Sequence, residues 1–315
     1  MPNLFNKELL RCALTDSAMK YYNKPMLLSG GLDSSIICSI IKPILSVVVS
    51  LGQSSGDLKY ARDIAKKYSK LHIEHVVKIT QVEKFISHPI RILKTFDPIE
   101  VRNSSVLYAG ISELKRHGYS EVVTGDGCDE LFAGYNYLQN FFDDYALLQK
   151  KLLELWELMH FSSTIIGRSL GVKVLTPYLD EPFITYAKSI DIREKVGEMN
   201  GKKYGKYALR KAFEKDLGEV AWRKKMALEL GSKFNLIPKL ISPINSVNST
   251  EEFDRIYLSD KVNLKSTEHL HYYRIYRSHF GPPFREPCSS KRCVECNSCI
   301  KSPRYCHTCG NTLLK

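Results

Sequence analysis

Two short segments of this 315-residue chain crowd glycine against hydroxyls and carboxylates. The first, Ser29-Gly30-Gly31-Leu32-Asp33-Ser34-Ser35, follows an apolar run, PMLLS. Paired glycines let a backbone turn tightly and approach an anion, and N–H groups opening a following helix supply partial positive charge. Ser29, Ser34 and Ser35 add hydroxyl donors, while Asp33 suits a magnesium ion bridging phosphates better than bare phosphate. The segment lacks the terminal Gly-Lys-Ser/Thr of a Walker A loop, and taken alone it also fits a plain strand-to-helix turn. The second segment, TGDGCDELFAGY (Thr124 to Tyr135), sets Asp126, Asp129 and Glu130 behind another β-branched run. Capping explains one such acid; three at a strand end are costly unless a metal or a cationic group neutralises them.

A third constellation lies at the C-terminus. Six of the nine cysteines, Cys288, Cys293, Cys296, Cys299, Cys306 and Cys309, fall in the last 28 residues. Two Cys-x2-Cys pairs across a short loop suit tetrahedral zinc. Cys306 and Cys309 are expected as ligands, joined by Cys293 and Cys296 or by Cys296 and Cys299, with Cys288 left over. Six thiolates also suit an iron–sulfur cluster. His307, between two ligands, is expected to be exposed and not coordinating. Residues 285 to 315 carry six Lys or Arg against two Glu, which suits either contact with RNA or protein, or a staple closing the terminus.

The elements that must hold these groups follow from hydrophobic pattern. PMLLS, ILSVVVS (44–50), HIEHVVKI (72–79) and SEVVT (120–124) read as strands. Helices are expected from about Ser34, over Asp57 to Tyr68, and over 103–117. Such alternation predicts an α/β fold, a parallel sheet with helices on both faces, whose ligands sit at the carboxyl ends of strands. Both glycine-acid segments are at such ends. The second half is predicted mostly helical, including 143–159 and 204–217, until the Pro- and Cys-rich stretch from Gly281 breaks the pattern. Two units are therefore expected, 1–285 and 286–315.

Composition, 43% hydrophobic and 25% charged, is globular, and no apolar run is long enough to span a bilayer. The N-terminus has no h-region followed by a cleavage site, so a cytoplasmic location without a membrane partner is expected. A net charge of +12 suits a polyanion, yet the lysines are scattered, as in a lysine-rich proteome.

SGGLDSS followed by GDGCDELFAGY resembles the synthetase domain of the asparagine synthetase family, within the ATP pyrophosphatase (PP-loop) group. SSGDLKYARDIAKKY, LTPYLDEPF (Leu175 to Phe183), KYGKYALRKAF, AWRKKMALELG (Ala221 to Gly231) and HLHYYRIYRSHFG extend the resemblance over about residues 20 to 285. It implies a ligase that uses ATP to turn a small-molecule carboxylate into an acyl-AMP, releasing pyrophosphate, before ammonia attacks the acyl group. It further implies that Ser29, Gly30, Gly31, Ser34 and Ser35 cradle pyrophosphate and that Asp33 and Asp129 hold Mg2+. Leu27, Val49 and Gly125 would line the nucleotide, and Lys225 would stabilise charge on the α-phosphate. Asp180 is ranked as structural support.

The sequence departs from the family at three places. A glutaminase domain with its nucleophilic cysteine after the initiator methionine usually precedes this domain; here the chain begins Met1-Pro2 with about 25 residues before the loop. Free ammonia, a separate glutaminase subunit or another nucleophile is expected to serve. Asp126 stands where the family often has glutamate. FDPIEVRNSS (Phe96 to Ser105) resembles the aspartate-contacting stretch and keeps Arg102, suited to a substrate carboxylate, but Ile99 and Glu100 replace hydroxyl residues before it, which puts aspartate itself in doubt. Two other functions fit the composition: a PP-loop enzyme that adenylates a tRNA base and engages RNA through the cysteine tail, and a catalytically dead binding protein recruited through that tail.

Overall fold

The computed structural model describes residues 6–245, 249–302 and 305–313. In the first half α1 (Lys7–Met19), β1 (Met26–Leu27), α2 (Leu32–Ile41), β2 (Leu45–Leu51), α3 (Gly56–Tyr68) and β3 (Leu71–Val77) are followed by α4 (Val82–Leu93), α5 (Pro98–Arg116) and β4 (Glu121–Val123). Next come α6 (Cys128–Leu131), α7 (Tyr145–Leu158), α8 (Ser162–Ser169), β5 (Lys173–Leu175), α9 (Glu181–Ser189) and α10 (Ile192–Lys195). A hairpin, β6 (Val196–Met199) and β7 (Lys202–Gly205), leads into α11 (Tyr207–Leu217), and α12 (Leu228–Gly231) through α13 (Ile237–Asn245), α14 (Ser249–Asp260) and α15 (Thr267–Phe280) complete the helices.

The five strands β1 to β5 pair in parallel in the order β3-β2-β1-β4-β5. Every residue of β2 is buried, as a strand covered on both faces requires. Leu45, Val47, Val49 and Leu51 pack with α4 and α5 residues such as Phe85, Ile86, Val101 and Ile111. Val48, with Met26, Leu28 and Val123, packs on the other face against Leu10, Ile36, Ile64 and Phe213. The chain steps outward from β1 to β2 and β3, then crosses to β4 on the other side of β1. The carboxyl ends of β1 and β4 thus flank the point where strand order reverses, the usual ligand crevice of such sheets.

The doubly covered parallel sheet agrees with the expectation from sequence, while several boundaries move. The helix after β1 starts at Leu32, with Gly31 as its N-cap, so Asp33 and Ser34 lie in its first turn. The α5 helix starts at Pro98, five residues ahead of the predicted 103, because the Asp97 side chain accepts from the Ile99 N–H and Pro98 suits a first helical position. The predicted 204–217 helix begins at Tyr207, since β7 runs through Gly205 and Lys206 is left-handed at φ 57°. The α15 helix ends at Phe280 before Gly281, where the sequence places the break.

Beyond it the tail folds as two small knuckles, closed by antiparallel bridges Arg292↔Cys299 and Tyr305↔Thr312. Cys293, Cys296, Cys306 and Cys309 share one apolar cluster with Phe96, Tyr273 and Tyr276. Among the described residues no helix is long and apolar enough to cross a membrane.

Candidate functional site

A cleft of about 550 Å3 opens above the ends of β1 and β4. Leu27, Ser29, Gly31, Asp33, Ser34, Val49, Gly125, Asp126, Asp129 and Lys225 line it, so most of the residues singled out from sequence converge. Gly30 shapes the loop from behind. Its φ is +68°, and a Cβ there would lie 2.5 Å from the Ala61 amide nitrogen, so α3 leaves room for glycine alone. Ser34 Oγ is 3.0 Å from Ser29 Oγ and accepts from the Ser29 N–H at 3.2 Å, which folds the loop over the start of α2. Among the described residues no side chain caps that helix, so its first N–H groups can serve an anion.

Ser35 and Arg102 depart from expectation. Ser35 is fully buried on the inner face of α2, its hydroxyl has no hydrogen-bond partner among the described residues, and it does not line the cleft. The guanidinium of Arg102 turns to Glu268, at 3.1 Å, and to Glu229, at 3.8 Å. Helical spacing explains this: Glu100, Asn103 and Leu107 form the α5 stripe that faces the cleft, and position 102 falls off it.

At the centre sits a lysine that sequence pattern does not mark. The Lys206 ammonium lies 2.7 and 2.6 Å from the two Asp33 carboxylate oxygens and 2.7 Å from Asp129 Oδ1. Its side chain is 2% exposed. Lys225 reaches the other Asp129 oxygen at 2.6 Å. Burial on its own would raise the Asp129 carboxyl, but the two ammonium groups outweigh it and hold the carboxyl well below its usual range. Burial likewise opposes the charge on Lys206, and Asp129 and Asp33 reverse that, raising it. Lys206 lies in KYGKYALRKAF, where its only local signal is the glycine before it.

Arg223 ties the lysine-bearing loop down. Its guanidinium donates to the Gly30 carbonyl at 2.8 Å and to Asp57 at 2.5 Å, and stacks 4.1 Å over the Tyr60 ring. From LTPYLDEPF, the Tyr178 hydroxyl donates to the Asp33 carbonyl at 3.2 Å, while Asp180 pairs with Lys20 at 2.6 Å, a structural role as expected.

The opposite wall is acidic. Asp126 accepts from Thr124 at 2.8 Å and Ser163 at 2.5 Å. Burial pushes its carboxyl up, the Asp129 and Asp33 charges push the same way, and the two hydroxyls oppose. Glu100, also raised by burial, accepts from the Ser162 hydroxyl. Glu130, raised by burial and by Asp129, accepts from the Tyr135 hydroxyl at 2.5 Å. His160 completes this side. Cationic groups therefore gather at the glycine loop, while the opposite wall carries the carboxylates of Glu100 on α5, Asp126 after β4 and Glu130 on α6, the first two held by serines of α8.

In the tail, Cys293, Cys296, Cys306 and Cys309 are all buried and their sulfurs lie within 4.8 Å of one another. Cys296–Cys306 and Cys293–Cys309 separations are both 3.7 Å. A tetrahedral ion with sulfur at about 2.3 Å requires sulfurs about 3.8 Å apart, so the four fit a single metal. Cys299 lies outside this group and is disulfide-bonded to Cys288. Asn297 and Gly310, each directly after the second cysteine of a knuckle, are both left-handed. That signal was available, because Ile300 after Cys299 is a poor left-handed residue. His307 lies outside the four-cysteine group and is half-buried where the sequence predicts exposure, because its ring packs edge-on against His160, centroids 4.5 Å apart.

The sheet order, the glycine loop at its switch point and the second acidic loop beside it define an α/β protein of the PP-loop ATP pyrophosphatase type. The asparagine synthase family matches residues 7–164 and 165–256. A probable glutamine-hydrolysing asparagine synthetase of Dictyostelium discoideum is 30% identical over 277 residues, which is 78% of this chain and 50% of that protein. The glutamine-hydrolysing asparagine synthetase B of Escherichia coli (strain K12) is 28% identical over 313 residues, 91% of this chain and 56% of its own length. This chain belongs to the asparagine synthase family, and it spans about half the length of the curated relatives it matches.

Proposed function

We propose that the chain is an ATP-dependent carbon–nitrogen ligase that adenylates a small carboxylate and passes the acyl group to ammonia. The observation that carries this reading is Lys206 and Lys225 bracketing Asp33 and Asp129 beside an uncapped helix start. The substrate carboxylate attacks the α-phosphate, the bond to the β-phosphate breaks, and pyrophosphate leaves. Ammonia then displaces AMP from the acyl carbon and loses a proton.

The Ser29–Ser34 loop and the first N–H groups of α2 would hold the departing pyrophosphate. Asp33 and Asp129 offer hard oxygen donors at the cleft, and a cation already drawn between them fits Mg2+ at the same carboxylates. Bound there, Mg2+ would neutralise phosphate charge. Lys225, 27% exposed and at the cleft, can leave Asp129 for the α-phosphate as charge develops, whereas buried Lys206 positions both carboxylates. Leu27 and Val49 supply apolar contact for the nucleotide, with Gly125 at its edge. Asp126, whose carboxyl is raised by burial, would accept the proton from ammonia.

Glu100 in the acceptor wall favours a substrate that presents a donor or cation there and disfavours a second carboxylate, which counts against aspartate. Ammonia is the nitrogen source, free or delivered by a separate glutaminase subunit. Zinc is the ion we assign to the four-cysteine site, since a lone tetrahedral thiolate set suits it. Pyrophosphate release should be measured with ATP, Mg2+ and ammonium across the amino acids, aspartate included. Release that depends on one amino acid, with its amide formed, supports the reading. Release that depends on tRNA in place of any amino acid would replace it with base adenylation.

A further inference from the structure

The knuckles do more than close the terminus: they touch both segments that build the acidic wall. The second knuckle lies under the start of α5. The Thr308 carbonyl accepts from the Phe96 N–H at 2.8 Å and from the Thr95 hydroxyl at 3.2 Å. The Tyr305 hydroxyl donates to the carboxylate of Asp97, the residue that caps α5. Gly310 packs so closely that a Cβ there would lie 2.4 Å from Asp97 Oδ1. About one and two turns further along α5 are Glu100 and Asn103, both in the cleft. The same knuckle places His307 edge-on against His160, which begins the stretch carrying Ser162 and Ser163. Those two serines hold Glu100 and Asp126.

Contacts from one six-residue segment, Tyr305 to Gly310, thus reach both sides of the acceptor wall. That segment carries two cysteines of the metal set, Cys306 and Cys309. Among the described residues the nucleotide side has no such tie: Asp33, Lys206 and Asp129 are held by one another, by Tyr178 and by the β7–α11 junction.

We propose that the four-cysteine metal centre is the positioning device for the acceptor half of the cleft, with Tyr305, His307 and Thr308 as its contacts and the nucleotide half independent of it. Metal occupancy then governs the order of the start of α5 and of residues 160–163, and through them the affinity for the carboxylate substrate. Calling this half the acceptor side rests on the adenylation reading; the physical coupling does not.

The test uses the full chain. Metal content of the purified protein is measured, the ion is removed by chelation, and Zn2+ alone is returned. Hydrogen exchange is followed by mass spectrometry in each state, and Mg2+–ATP affinity by calorimetry. One ion per chain is expected. Its removal should speed exchange about tenfold at the amides of 99–104 and 160–164 but less than about twofold at 30–36 and 206–212, reversibly on adding Zn2+. ATP affinity should stay within about twofold. Tyr305→Phe and His307→Ala, which keep all four cysteines, should retain the ion yet raise exchange in the same two segments. A chain that binds no ion, exchange rising uniformly, or both variants matching wild type with metal bound would each overturn the proposal. If instead no carboxylate supports pyrophosphate release while the exchange pattern appears, the adenylation reading fails and the coupling stands.

Discussion

Removing the Lys206 ammonium while keeping its volume, as Lys206→Met does, should expose the electrostatics of the cleft directly. The ammonium is 2.6 to 2.7 Å from three carboxylate oxygens on two aspartates. At an effective dielectric of about 20, each of the two ion pairs is worth about 6 kcal/mol gross. Most of that is offset by desolvating an ammonium that is 2% exposed, so the gross figure overstates the effect. Taking one partner from a buried pair typically costs about 3–5 kcal/mol, and Lys225 still neutralises part of Asp129, which favours about 3 kcal/mol. With an unfolding entropy of about 2.1 cal/mol/K per residue over the chain, that is a melting temperature lower by about 5 °C. Magnesium should then recover it. With Met at 206 the buried ammonium no longer competes for Asp33 and Asp129, leaving only Lys225 at one Asp129 oxygen, and an ion at about a hundredfold its Kd returns about 2.7 kcal/mol. Thermal unfolding by circular dichroism, with and without millimolar MgCl2, reads both effects. A melting temperature within about 1 °C of wild type refutes the lysine bridge. A magnesium shift no larger than that of wild type refutes the assignment of Asp33 and Asp129 as its ligands.

Lys225→Met should lower kcat about a hundredfold or more with ATP affinity little changed, since its cation acts on charge that develops only in transfer; equal loss of affinity and rate would contradict this. Asp126→Asn should cost at least about a hundredfold in amide formation. In the wild type, activity should fall as pH drops through a value above the ordinary carboxylate range, because a base works only when deprotonated and this carboxyl is raised. Cys293→Ser should lose the bound ion and Cys299→Ser should keep it, as metal analysis would establish; loss from both would restore Cys299 to the ligand set. Lys195, 3% exposed, is pushed down to about 8 by burial and then by Lys188. A lysine depressed on folding destabilises the fold fully below its folded value, and the penalty fades as pH rises towards about 10.4. Lys195→Met should therefore stabilise the chain by up to about 3 kcal/mol at pH 7, with the advantage over wild type closing by about pH 10 in urea titrations.

The parallel sheet was legible because β2 is apolar throughout and the strands alternate with helical periods. Both glycine-acid loops declared themselves through local chemistry that ordinary capping could not absorb. What sequence could not reveal is long-range. Lys206 sits 173 residues from Asp33, and nothing near it hints that its ammonium is drawn between two aspartates. Arg102 is well suited to bind a carboxylate, and it does, but those carboxylates belong to Glu268 and Glu229, which tertiary packing supplies. Ser35 looks like its neighbour Ser34 in the string, yet one step of helix carries it from the cleft into the core. The cysteine pairing was half legible: spacing allowed two sets, and the left-handed residue after each knuckle selects one.

The central claim, that this cleft joins a carboxylate to AMP, is tested most directly with the accepted carboxylate labelled with 18O in both oxygens. Turnover with ATP, Mg2+ and ammonium is followed by mass spectrometry of the nucleotide and 31P NMR. Adenylation predicts AMP and pyrophosphate as products, with one 18O delivered to the AMP phosphate for each amide formed. ADP and phosphate, or AMP without the label, would contradict it.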